Sequence, residues 1–158
     1  MRLYVVQHAE AVSKAEDPER PLSEKGRLDA ERLAAFLARA GIGVKRVWHS
    51  GKLRARQTAE LLQWAVLPRG EVEERPGLGP EAPVGPLADE AAGWEDDILL
   101  VGHLPFVDRL VARLVTGDEA ASVCAFVPGT AVCLDRNGEG TWRVVWMLPP
   151  EVLAKEER

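Results

Sequence analysis

The chain has 158 residues and a mass of 17.3 kDa, the size of one domain able to bury a sizeable core. Hydrophobic residues make up 46% and charged residues 28%, as in soluble globular proteins. The net charge of -5 argues against a nucleic-acid binder that neutralises phosphates, and no apolar run approaches the ~20 residues of a bilayer span.

In chain order, Arg2 to Val6 is apolar and β-branched and predicts a short buried strand. The N-terminus, Met1 to Val6, lacks the long h-region and small-residue cleavage site of a signal peptide, so the expected location is cytoplasmic. Ala11 to Pro21 is polar, with two prolines, and reads as a loop. Ser23 suits the N-cap of a helix from Glu24 to about Ala40, with Ala30, Leu33, Ala34 and Leu37 as its apolar stripe and Gly41 as its stop. Val44 to Trp48 predicts a second strand. Leu53 to Trp64 predicts a second helix, with Ala55, Thr58, Ala59 and Leu62 on one face.

Pro68 to Pro86 holds five prolines and four glycines, with room for one short strand at Val72 to Glu74. Leu87 to Trp94 suggests a short helix and Ile98 to Val101 a central strand. Pro105 opens a third amphipathic helix. Ser122 to Val127, Ala131 to Asp135 and Thr141 to Leu148 all look strand-like, and Asn137-Gly138 signals a hairpin between the last two. Cys124 and Cys133 lie in apolar runs and read as reduced core residues.

Strands alternating with helices, then a terminal hairpin, predict a three-layer α/β/α domain with a mostly parallel central sheet. The expected domain spans residues 1–150, followed by a charged tail over 151–158 that frays. Parallel sheets of this kind bind ligands at the carboxyl ends of their strands. All three histidines of the chain, His8, His49 and His103, follow predicted strands, and Arg54 lies four residues beyond Ser50 on a helix. A metal site is not expected, because no His-x-His or His-x₃-His pair and no acidic cluster completes one.

Four segments carry a family resemblance. Leu3 to Glu10 (Leu-Tyr-Val-Val-Gln-His-Ala-Glu) resembles the opening of the histidine phosphatase superfamily, whose usual triplet is Arg-His-Gly. Arg20-Pro21-Leu22-Ser23-Glu24-Lys25-Gly26 is similar to its pro-leu-thr-x-x-gly segment. Ser50 to Ala59 is similar to its Ser-x₃-Arg-x₃-Thr-Ala helix, and Leu100 to Pro105 to its second-histidine motif. The four occur in family order. The short chain and the Gly-His-Leu-Pro form look most like SixA-type phosphohistidine phosphatases.

The resemblance implies a phosphoglycerate mutase-like fold and a phosphatase without cofactor or metal. His8 is then the nucleophile, Arg54 a fork on the phosphoryl oxygens, and His103 a further donor. Gln7 and Ser50 are expected to contact phosphate, Ser50 chiefly as the cap of the Arg54 helix. The implied substrate is phosphohistidine in a partner protein. A small phosphorylated molecule is the alternative, and a weakly catalytic phosphate- or phosphoprotein-binding module is another. The sequence departs from the pattern at Gln7, where the family has arginine, and at Ala9. Lys52 or Arg56 are candidates for the missing charge, and Glu81 and Glu10 for a general acid, neither carboxylate matching a specific motif.

Overall fold

Strand β1 (Arg2–Gln7) has every residue but Arg2 buried, so its alternate side chains feed two separate cores. In the computed structural model, which describes residues 1–156, Leu3 and Val5 enter one core and Tyr4 and Val6 the other. The remaining elements are α1 (Glu24–Arg39), β2 (Arg46–His49), α2 (Leu53–Val66), β3 (Val72–Glu74), α3 (Gly85–Ala91), β4 (Ile98–Gly102), α4 (Phe106–Thr116), β5 (Ala131–Arg136), β6 (Trp142–Leu148) and α5 (Pro150–Glu156). They form one six-stranded sheet in the order β3-β2-β4-β1-β5-β6. The first four strands in that order are mutually parallel; β5 pairs antiparallel with β1, and β6 with β5.

Helices cover both faces. Leu87 of α3 and Phe106, Val107, Leu110 and Val111 of α4 pack with Leu3, Val5, Leu100 and Val132. On the other face Leu33, Ala34 and Leu37 of α1 and Ala55, Ala59 and Leu62 of α2 pack with Tyr4, Val6, Leu99 and Val101. Each fully buried leucine contributes roughly 1.5–3 kcal/mol of transfer free energy, which is why the apolar stripes of α1 and α2 face inward. The expected three-layer α/β/α architecture is present. Among the described residues no helix is long and apolar enough to cross a membrane.

Two local readings change. Ser122 to Val127 is not a strand. Helix α4 starts at the carboxyl end of the parallel strands, and β5 starts there too, since Ala131 pairs with Val6. The chain between them must run back along the sheet, and β5 already holds the edge of β1. The expected hairpin between β5 and β6 is present and turns through Gly140, at φ 83°, with the Gly140 N–H donating to the Asn137 carbonyl. The segment read as a charged tail begins inside α5, where Leu153 is buried against the α1 side of the sheet; residues 157–158 lie outside the described residues. Pro150 opens that helix, a position that needs no N–H partner.

Candidate active site

The parallel register brings the strand ends together. Gln7 pairs with Gly102, and His49 with Val101, so His8, His103 and Ser50 emerge side by side. The His8 and His103 rings lie 5.0 Å apart, centroid to centroid, and both side chains are buried. The backbone at His8 is clamped from two sides. Its N–H donates to the Gly102 carbonyl at 2.9 Å, and its carbonyl accepts from Gly129 at 3.0 Å. Gly129 sits at φ 91°, a conformation that favours glycine.

One contact decides the protonation of His8. Its Nδ1 lies 2.7 Å from the Ala9 carbonyl oxygen. A carbonyl can only accept, so Nδ1 carries the hydrogen and Nε2 keeps its lone pair. Burial pushes the His8 pKa down to about 4; the bond to Ala9 opposes this, and the Arg54 and Arg20 charges add to it. His8 is therefore neutral at pH 7, with a lone pair on Nε2. Burial likewise lowers His103, to about 3, with His8, Arg54, Lys52 and Arg20 contributing. Its Nε2 lies 2.6 Å from Ser50 Oγ, while its buried Nδ1 has no protein partner.

Helix α2 places the cation. Arg54 sits in its first turn, with a buried Nε that meets no partner in the protein. Burial first, then Arg20, lower its pKa, the mark of a guanidinium held in a dry, positive setting. One turn later, Thr58 Oγ1 donates to the Arg54 carbonyl at 2.8 Å and accepts from the Ala9 N–H at 3.0 Å. This buried threonine ties the loop after His8 to the helix that carries Arg54. The Gln57 side chain holds the next loop, accepting from the Leu22 N–H at 2.8 Å.

The Pro21-Leu22-Ser23 segment has a structural reason. Ser23 Oγ accepts from the Gly26 N–H at 3.0 Å and caps α1. A Cβ on Gly26 would come within 2.0 Å of the Glu10 carbonyl oxygen. Only glycine lets the first turn of α1 lie against the chain leaving His8.

Of the residues expected at the site, His8, His103, Ser50 and Arg54 gather at the strand ends, and Gln7 is buried beside them with Oε1 unpartnered. Ser50 does not cap α2: the N-cap position is Lys52, without a side-chain cap bond, and the serine hydroxyl meets His103. The Glu10 carboxylate accepts from Ser23 Oγ at 2.9 Å, within the cap of α1. Glu81 is exposed on the loop before α3. Arg56 pairs with Glu60 at 3.3 Å, and Lys52 is exposed and influences His103. The reading of the residues missed Arg20, whose charge acts on His8, His103 and Arg54 alike. It also missed Thr58 as a link, having counted it as part of an apolar face.

Comparison with known proteins agrees with this geometry. Residues 3–79 match the family model of the histidine phosphatase superfamily (branch 1). The phosphohistidine phosphatase SixA of Escherichia coli (strain K12) is 29% identical over 155 residues, covering 95% of this chain and 94% of that protein. The chain belongs to the histidine phosphatase superfamily. A solved structure of the protein histidine phosphatase SixA complexed with tungstate superposes with a TM-score of 0.84 at 26% identity, over 97% of this chain and 99% of that one. A putative alpha-ribazole-5'-P phosphatase from Escherichia coli shares the fold, with a TM-score of 0.76 at 19% identity over 95% of this chain and 98% of that one. The phosphatase family and the phosphoglycerate mutase-like fold thus rest on sequence and structure together.

Proposed function

We propose that this chain is a phosphohistidine phosphatase that carries the phosphoryl group on Nε2 of His8. The observation that carries the reading is the Nδ1–H bond from His8 to the Ala9 carbonyl, which leaves Nε2 as a neutral nucleophile. In the first step Nε2 attacks phosphorus and the substrate N–P bond breaks. The departing imidazole nitrogen keeps the electron pair and takes up a proton. Water then attacks the phosphorus on His8, releasing inorganic phosphate and returning the neutral ring. Arg54 and His103 stabilise the equatorial oxygens, because phosphoryl transfer depends on alignment and charge more than on covalent help.

The choice of substrate follows from the acids. Glu10 is engaged with Ser23 and Glu81 is exposed, so neither is held over the histidines as a proton donor. An alkoxide leaving group needs such a donor. Imidazole does not, since its conjugate acid has an unperturbed pKa of about 6.5 and can leave already protonated. The SixA likeness points the same way.

The test is a ratio of kcat/KM, measured in EDTA, for a phosphohistidine-bearing protein against p-nitrophenyl phosphate. The proposal expects the N–P substrate to win by about a hundredfold or more. Preference for the O–P ester would favour the small-molecule reading. Loss of all activity in EDTA, restored by a divalent ion, would remove the metal-free mechanism.

A further inference from the structure

Gln7 brings no charge to the pocket, yet a phosphoryl dianion needs more than one guanidinium to replace its water. Arg20 has three properties that address this. First, it is the one non-glycine residue with positive φ, at 49°, among the described residues. A left-handed arginine costs conformational energy, and such outliers gather at functional sites. Second, its loop is tied to the site. Ala11 bridges Leu22, the Val12 N–H donates to the Pro21 carbonyl at 2.9 Å, and the Leu22 N–H reaches Gln57 on α2. Third, its Nε donates to the Val12 carbonyl at 3.0 Å, which leaves both terminal NH₂ groups of the fork available.

The charges around it are unbalanced. Among the described residues neither Arg20 nor Arg54 pairs with a carboxylate, while Arg56, on the same helix as Arg54, pairs with Glu60. Two arginines without counter-charges, beside two buried neutral histidines, make a seat for an anion.

We propose that Arg20 is the second guanidinium of the phosphate pocket, delivered by the loop before α1 in place of an arginine at position 7. Arg54 and Arg20 then hold the phosphoryl group between them, and the strained backbone at Arg20 sets the direction of its fork. The proposal deepens the phosphatase reading above and rests on it.

The test uses inorganic phosphate, the product, so that binding is read without turnover. Arg20→Gly accepts the positive φ and keeps the fold, which a melting curve checks; Arg20→Gln is the second variant. Both are expected to bind phosphate about tenfold more weakly than the unaltered chain. Removing the cation is also expected to raise the His8 pKa, seen by NMR titration of its ring, and Arg20→Lys, which keeps the charge, is expected to leave it low, whereas loss of packing would raise it in all three variants. Gln7→Arg placed in the Arg20→Gly chain is expected to restore the affinity. Unchanged phosphate affinity in both folded variants would overturn the role of Arg20 while leaving the phosphatase reading intact. Failure of the unaltered chain to bind phosphate would overturn both.

Discussion

His8 and His49 are both buried and both follow parallel strands, yet their surroundings differ in kind. At the ends of β1 and β4, His8 has its Nδ1–H on a backbone carbonyl, and the Arg54 and Arg20 charges act on the ring. At the end of β2, His49 Nδ1 accepts from the Gly51 N–H at 3.0 Å, so its proton sits on Nε2. Gly51 is at φ 95°, and the Glu74 carboxylate packs where its Cβ would be. Burial lowers the His49 pKa, with Glu74 and Glu60 opposing and Arg56 assisting. One histidine keeps a lone pair in a positive pocket. The other caps a turn among mixed charges. Position after a strand makes a histidine a candidate; its second nitrogen and the sign of nearby charge decide whether it can attack phosphorus.

The largest expected effect tests the member of the pair proposed as the nucleophile. His8→Ala is expected to lower turnover of a phosphoramidate by at least about a thousandfold, with the melting temperature near that of the parent. Residual turnover near the parental rate would break the comparison.

The pH response is next. The folded-state pKa of His8, about 4, lies below the unfolded value of about 6.5. The free enzyme keeps a neutral nucleophile down to that folded value, so kcat/KM should hold through pH 6 and fall only as pH approaches 4. Stability has the opposite exposure. The unfolded chain takes up the proton first, so stability is full above pH 6.5 and declines as pH falls from 6.5 towards 4. An acid limb in kcat/KM centred near pH 6.5 would contradict the buried, neutral assignment.

Thr58→Val sharpens the account of positioning. It removes the acceptor for the Ala9 N–H and the donor to the Arg54 carbonyl. An unsatisfied buried N–H costs about 1–3 kcal/mol, which thermal unfolding should register. The shifted geometry should lower kcat by about tenfold, with Thr58→Ser recovering most of it. A parental kcat in the valine variant, with the loss confined to the serine variant, would show that the methyl packing matters instead.

Gln7→Arg separates the two arginine supplies. With Arg20 in place, the change should alter p-nitrophenyl phosphate turnover by no more than about threefold, since a third cation meets an already charged pocket. A gain beyond tenfold would mean that position 7 is the real deficit. The smallest effect belongs to the other histidine. His49→Asn should keep kcat/KM within about twofold of the parent while lowering stability by about 1 kcal/mol, from the altered turn. A large catalytic loss would erase the distinction drawn between the strand ends.

Most of the frame was legible because local signals and burial agree. The stripe Ala30, Leu33, Ala34, Leu37 and the Ser23 cap define α1 by period and hydrogen bonding, and both appear as expected. His8, His103 and Arg54 were legible from motif spacing and from the rule that ligands sit at carboxyl ends of parallel strands. What escaped was set by tertiary geometry. Ser122 to Val127 has strand composition, but the place beside β1 goes to β5. Residues 151–156 look like a charged tail because Leu153 is the one buried side chain among those described there. Arg20 belongs to a polar loop, and only its positive φ and the pinning of that loop by Gln57 bring it to the site. A backbone outlier of that kind leaves no trace in composition or periodicity.

The most direct measurement is phosphate trapping. The chain is mixed with phosphoramidate, quenched in alkali, digested and mapped by mass spectrometry, with acid lability as a check. The account predicts a phosphoryl group on His8, labile in acid and absent from His49 and His103. Phosphate on another residue, or single-turnover release of phosphate with His8 never labelled, would contradict it.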